Sequence, residues 1–203
     1  MINTSSPLSV LNQVFGYKTF RGEQEQIIKH ILDGGHAFVL MPTGGGKSLC
    51  YQIPALLLDG VTVVISPLIS LMQDQVATLK QLGIKAEYLA SNLTQEEISE
   101  RLAELVKNEV KLLYVTPERV SSRVCINFLN SVKISLFAID EAHCISHWGY
   151  DFRPEYQRLS VLATNFPNTP RLALTATADH YTKVDIMHYL HLKQVPFFSA
   201  SFL

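Results

Sequence analysis

The sequence is short of several things, and each shortage closes off a class of protein. Its three cysteines, Cys50, Cys125 and Cys144, contain no CxxC pair, which excludes a disulfide framework or a zinc site of ordinary spacing. They fit a reducing compartment and read as small buried hydrophobes. Neither sign of charge is in excess, since 17 basic and 18 acidic side chains leave a net charge of -1. No global positive field announces nucleic acid, so any such binding must use a local patch. Long hydrophobic runs are missing too, and the opening MINTSSPLSV lacks the basic-then-apolar order of a signal peptide. A cytoplasmic chain with no membrane contact is expected, nucleoid-associated if the source is bacterial. Tryptophan occurs once, at Trp148, and no internal repeat or low-complexity segment is visible.

What remains is a chain of 203 residues, 47% hydrophobic, long enough to bury a substantial core in one domain. Short β-rich runs alternate with helical ones. AFVLM (37–41), VTVVIS (61–66), KLLYV (111–115), ISLFAID (134–140) and RLALT (171–175) are apolar, partly β-branched and bounded by Gly, Pro or polar clusters. Between them, Leu49, Ile53, Leu56 and Leu57 recur at helical spacing up to Asp59-Gly60, as do Leu68, Leu71, Met72, Val76, Leu79 and Leu82 up to Gly83. Thr94 and Glu97 predict a capping box ahead of Ile98, Leu102, Leu105 and Val106. The alternation implies an α/β fold, a parallel β-sheet sandwiched by helices, with ligands at the carboxyl ends of the strands. Residues 1–20 read as a small helical lead-in and 21–203 as the domain proper. The closing PFFSASFL breaks the alternation without starting a new unit.

The chemistry begins immediately after the first strand, in MPTGGGKSLC. Three consecutive glycines, Gly44, Gly45 and Gly46, let backbone amides turn toward phosphate oxygens, and the following helix offers its positive end to the same anion. Lys47 would neutralise the terminal phosphates and Ser48 would ligate magnesium. The strict GxxxxGK[ST] pattern wants glycine where this chain has Met41. Across from such a cradle, ISLFAID ends at Asp140, placed to hold hydrated Mg²⁺, and Glu141 follows to polarise the attacking water. Taken alone, an Asp-Glu pair after a strand is more often a helix cap on a solvated edge, and it is the pairing with the loop at 44–48 that favours the site. The same segment continues as DEAHCISHWGYDF (140–152), running two carboxylates and two histidines into Trp148, Tyr150 and Phe152.

MPTGGGKS, ISPLISLMQDQ, YVTPER, DEAH and LTATA together resemble the first motor domain of a superfamily 2 helicase. CISHWGYDFRPEY resembles the aromatic-rich loop of RecQ-type DNA helicases, and FRGEQ resembles their adenine-reading motif, with His147 where many members have Gln. The resemblance implies a RecA-like P-loop NTPase domain that uses ATP and Mg²⁺ and acts on single-stranded and duplex DNA, with repair and recombination as the setting. It implies that Gln24 reads the adenine edge, aided by Arg21, and that Thr43, Gly44, Gly45, Gly46, Lys47 and Ser48 hold the phosphates. Lys47, Asp140, Glu141 and His143 become the catalytic set, with Ser48 and Asp140 on the metal and His143 linking the nucleotide and nucleic-acid sites.

Trp148 and Phe152 become candidates for stacking on bases, with Arg153 supplying a charge toward phosphate or nucleotide. Tyr150, Phe152 and Tyr156 fit a core role as well, and for Tyr156, near a helix start, core is the favoured reading. Ser66, Gln73 and the turn at 116–119 are similar in position to family segments that touch the DNA backbone, and 174–178 to a segment that communicates between ATP and DNA. Such helicases close ATP between two similar domains, and no second strand-helix series is visible here. The chain is therefore expected to be an N-terminal fragment that binds nucleotide, hydrolyses and unwinds poorly, and lacks its second motor domain as partner. A non-motor P-loop NTPase would explain 44–48 and 140 without the aromatic loop. A nucleic-acid binding module would explain the aromatics without the phosphate loop.

Overall fold

The structure, a computed structural model, describes residues 6–107 and 109–199. Two helices, α1 (Pro7–Gln13) and α2 (Gln24–Leu32), precede the first strand, β1 (Ala37–Leu40). Then follow α3 (Leu49–Leu57), β2 (Val61–Ile65), α4 (Ile69–Gln81), β3 (Ala86–Leu89), α5 (Gln95–Val106) and β4 (Leu112–Val115). Two short helices, α6 (Pro117–Val120) and α7 (Arg123–Leu129), lead into β5 (Ile134–Ile139). A 3₁₀ turn at Ala142–Ile145, α8 (Pro154–Gln157), α9 (Ser160–Asn165), β6 (Arg171–Thr175), α10 (His180–Tyr189) and β7 (Phe197–Ser199) complete the order.

The strands form one sheet in the order β3-β4-β2-β5-β6-β1-β7, and every neighbouring pair is parallel. Side chains of a strand alternate between its two faces, and burial on both faces turns that alternation into two cores. On β5, Leu136 and Ala138 join Val39, Val64, Tyr114 and Leu174 on the side of α3 and α4. Phe137 and Ile139 join Val63, Val115, Ala173 and Ile186 on the other side. The expected α/β sandwich is thus the observed one, and the five expected strands are β1, β2, β4, β5 and β6.

Two strands correct the sequence reading. Ala86–Leu89 was outside the expected set because Glu87 and Tyr88 are only half-buried, which removes the continuous apolar run that marks the inner strands. Phe197–Ser199, in the tail expected to start no unit, pairs with β1 at the other edge; residues 200–203 lie outside the described residues. The lead-in is helical as expected, but it is bound to the rest, because Val10 and Leu11 share a core with Ile28 and Ile53. The capping box forms as drawn, with Glu97 N donating to Thr94 Oγ1 at 3.2 Å and Thr94 N to Glu97 Oε2 at 2.7 Å. All three cysteines are free and buried. No helix among the described residues is long and apolar enough to cross a membrane.

Candidate nucleotide and nucleic-acid site

Because all strands run the same way, the loops after β1, β5 and β6 meet at one edge of the sheet. β6 lies between β1 and β5, so its last residue, Thr175, separates the phosphate loop from the acidic pair. Met41 is buried and its N–H still bonds to Thr175 O at 3.0 Å. Position 41 therefore extends the strand into the core, and the turn that needs glycine begins later, at Gly44 (φ 79°). Gly46 (φ 78°) adopts a conformation that favours glycine, and a Cβ there would lie 2.2 Å from Gln24 Nε2 and push that amide from its place. Lys47 Nζ donates to Met41 O at 3.2 Å, and Ser48 stands at the amino end of α3, its side chain making no cap bond.

Gln24 is buried against this loop. Its Oε1 accepts from Arg21 N at 2.8 Å, and its Nε2 donates to Gly46 O at 3.2 Å and Gly45 O at 3.4 Å. An amide oxygen carries two lone pairs, so one remains on Oε1 for a base. The cleft beside it is lined by Tyr17, Thr19, Arg21, Gln24 and Leu49. Tyr17, about half-exposed, is a ring available for stacking that the sequence did not single out from neighbouring Phe15 and Phe20; only the fold turns it toward Gln24.

Asp140 N bonds to Ile65 O at 3.0 Å, one step beyond the Ile65–Ile139 pairing, which seats the carboxylate at the end of β5. Burial, and then the charge of Glu141, push the Asp140 carboxyl up to about 6. Its Oδ1 accepts from Glu141 N at 2.9 Å, while Tyr156, fully buried as expected, donates its hydroxyl to Asp140 O at 3.0 Å. A buried carboxylate with one short-range donor is a poor place for a bare negative charge and a good one for a cation. The neighbouring Ser66 Oγ is buried with no partner. These residues fit a cation such as Mg²⁺, which Asp140 and Ser48 would hold and which would supply charge against phosphate.

Glu141 adopts a left-handed conformation (φ 51°, ψ 41°), a strain of about 1–3 kcal/mol that clusters at functional sites. Its Oε2 lies 3.3 Å from His143 Nδ1, which also meets Thr175 Oγ1 at 2.8 Å. Thr175 Oγ1 also lies 3.0 Å from Thr177 O, so this one hydroxyl links the imidazole to the turn that follows β6. Burial holds the His143 imidazole below its usual range in spite of the acidic groups around it. The structure thus joins the ends of β5 and β6 through one imidazole, a link that spacing in the sequence does not reveal.

Beyond the 3₁₀ turn the chain exposes its aromatics. Trp148 is 65% exposed and Tyr150 78%, which removes Tyr150 from the core. Phe152 is half-buried, stacked on His147 with centroids 3.7 Å apart, and Tyr150 lies over His143 at 4.5 Å. Gly149 fits the turn because a Cβ would meet His143 O at 2.5 Å. Arg153 is paired with Asp151 at 3.2 Å. Of the residues assigned to the DNA backbone, Gln73 is exposed and donates to Tyr88 OH at 3.0 Å, whereas Ser66 and Thr116 are buried. Thr43 and Gly44 sit exposed at the mouth of the phosphate loop.

The chain is 50% identical over 202 residues to the ATP-dependent DNA helicase RecQ of Haemophilus influenzae, covering 100% of this chain and 33% of that protein. It is 50% identical over 203 residues to the ATP-dependent DNA helicase Q-like 4B of Arabidopsis thaliana, covering 96% and 18%, and 46% identical over 202 residues to the RecQ-like DNA helicase BLM of Xenopus laevis, covering 96% and 15%. The chain spans a third or less of these relatives. Among solved structures, the helicase MrfA bound to DNA superposes with a TM-score of 0.73 at 17% identity, over 98% of this chain and 30% of that one. A hypothetical ATP-dependent RNA helicase from Sulfolobus tokodaii gives 0.70 at 18%, over 96% and 56%; at such identities the likeness is one of fold. The DEAD/DEAH box helicase pattern matches residues 21–185, from the arginine ahead of Gln24 to the helix after β6, and the chain belongs to that family.

Proposed function

We propose that this chain is the nucleotide-binding half of a RecQ-type ATP-dependent DNA helicase, which couples ATP hydrolysis to movement on single-stranded DNA and to duplex unwinding. The observation that carries the reading is one continuous segment, Asp140–Arg153, which begins at the buried Asp140 and half-buried Glu141 carboxylates at the phosphate-loop edge of the sheet and runs on into exposed aromatic rings. Lys47, freed from Met41 O, and the amides of Gly44, Gly45 and Gly46 receive the phosphates. Gln24 and Arg21 bind the base, with Tyr17 stacking on it. Magnesium, when bound by Ser48 and Asp140, offsets phosphate charge. Glu141 polarises the attacking water, and His143 carries the state of that carboxylate to Thr175 and Tyr150.

Trp148 and Phe152 offer faces on which bases stack without sequence preference, and Gln73, Arg153 and the turn at 116–119 serve the backbone. The strong sequence likeness to proteins named DNA helicases favours DNA over RNA. Helicases of the kind this chain resembles close ATP between two similar domains, so this chain alone should bind Mg·ATP and separate strands poorly. Calorimetric titration with Mg·ATP and a strand-separation assay on a short duplex test this. Saturable ATP binding without unwinding is expected; failure to bind ATP overturns the nucleotide assignment, and efficient unwinding by the chain overturns the need for a second half.

A further inference from the structure

Each aromatic ring of the loop lies against another ring, and one of those partners comes from outside the segment. Trp148 stacks on Tyr181 of α10, with centroids 5.1 Å apart and planes at 30°. One helical turn further on, Asp185 accepts the Ser146 hydroxyl at 2.6 Å, and Ser146 Oγ in turn accepts Trp148 N at 3.1 Å. Residues four apart on a helix share a face. The same face of α10 therefore holds the loop at both 146 and 148.

The two holds differ in kind. Ser146 is fully buried and bonded to a carboxylate, a charge-assisted anchor. Trp148 and Tyr181 remain 65% and 59% exposed although they touch. A ring covered on one face and still largely exposed has its other face open to a ligand. Helix α10 begins just after the 174–178 segment that carries Thr175, the partner of His143, so the platform is tied to the nucleotide edge of the sheet.

We propose that Tyr181 is a positioning residue for nucleic acid: it backs the Trp148 indole on one face and presents the other to an unpaired base. The proposal deepens the reading of Trp148 as a base contact and rests on it. Preorganisation is the physical gain, because an indole held by a stacked partner has less rotamer freedom to lose when a base arrives. Tyrosine contributes here through its ring and not its hydroxyl, so phenylalanine should replace it and alanine should not.

The test uses the 203-residue chain, with its single tryptophan as reporter of the stack and dye-labelled oligothymidylate as probe, whose anisotropy gives the affinity in every variant. In Tyr181→Ala, Trp148 emission should shift to the red and be quenched more readily by acrylamide, and oligothymidylate affinity should fall about 2- to 12-fold, the range spanned by one aromatic pair. Tyr181→Phe should restore both readouts, which a general loss of stability would not allow. Unchanged emission in Tyr181→Ala shows that there is no stack and overturns the proposal. Altered emission with equal or tighter oligothymidylate binding also overturns it, because Tyr181 would then compete with the base. Trp148→Ala separates the two levels: if that variant binds oligothymidylate as the parent does, the base contact itself is wrong; if it binds weakly while Tyr181→Ala does not, only the platform fails.

Discussion

The phosphate loop and the aromatic loop leave the same edge of the sheet and satisfy themselves in opposite ways. Around residues 42–48 the chain closes on its own polar groups, with Lys47 on the Met41 carbonyl and Gln24 on the carbonyls of Gly45 and Gly46. Around 146–153 rings lie on rings, and Trp148 and Tyr150 remain mostly in solvent. Half-buried donors and acceptors need partners, so a ligand at the first loop exchanges hydrogen bonds that already exist, and its affinity depends on what the chain cannot imitate, phosphate charge. A ligand at the second loop covers surface that nothing covers. Charge should decide binding at one loop and area at the other.

The harshest way to break this contrast is at the general base. Glu141→Gln should still bind Mg·ATP, while any hydrolysis falls about 10²- to 10⁴-fold, the usual worth of a general base; phosphate release at the parent rate would remove Glu141 from that role. Next comes the charge itself. Lys47→Ala should weaken ATP binding roughly 30-fold or more, since truncating one partner of a buried charge pair costs about 2–5 kcal/mol. Its melting temperature should hold, because Lys47 contributes only one bond, to the Met41 carbonyl. At the aromatic loop, Trp148→Ala should cost about 1–3 kcal/mol of single-strand binding and leave ATP affinity alone, and it too should melt with the parent.

A remote control gives the smallest effect. Thr94→Ala should lower stability by about 1 kcal/mol, the usual worth of a cap, and change neither affinity. Hydrogen bonding to the Thr94 backbone, and then to its side chain, holds the Glu97 carboxyl below its ordinary range. A depressed carboxyl stabilises the fold above its unfolded pKa and loses that contribution as pH falls through its folded one. The cap's share should therefore be complete at neutral pH and fade in acid, a fading absent from Glu97→Gln; equal acid sensitivity of the two proteins would contradict it.

How far the sequence could be read follows from the same physics. Inner strands announce themselves as apolar runs because both faces are buried, and the Thr94 box announces itself because its partners are three residues apart. Edge strands bury one face or little, so Glu87 concealed β3 and the exposed Phe197 concealed β7. The phosphate loop and Asp140 stood out because the chemistry proposed for them asks for particular residue types at fixed spacing. Contacts made across the fold were not: Gln24 against Gly46, His143 against Thr175 and Trp148 against Tyr181 join positions 22, 32 and 33 residues apart. Met41 shows the opposite case, a departure from the glycine pattern that becomes ordinary once the residue is seen to finish a buried strand.

The central claim is that the segment from Asp140 to Arg153 makes nucleotide and nucleic acid feel each other. Trp148 emission measures it most directly, through oligothymidylate titrations with and without a saturating non-hydrolysable Mg·ATP analogue. The account predicts that the analogue changes the oligothymidylate dissociation constant several-fold, and that saturating oligothymidylate changes the analogue's constant by the same factor, as linkage requires. Two ligands that each bind with the same constant whether or not the other is present would contradict it.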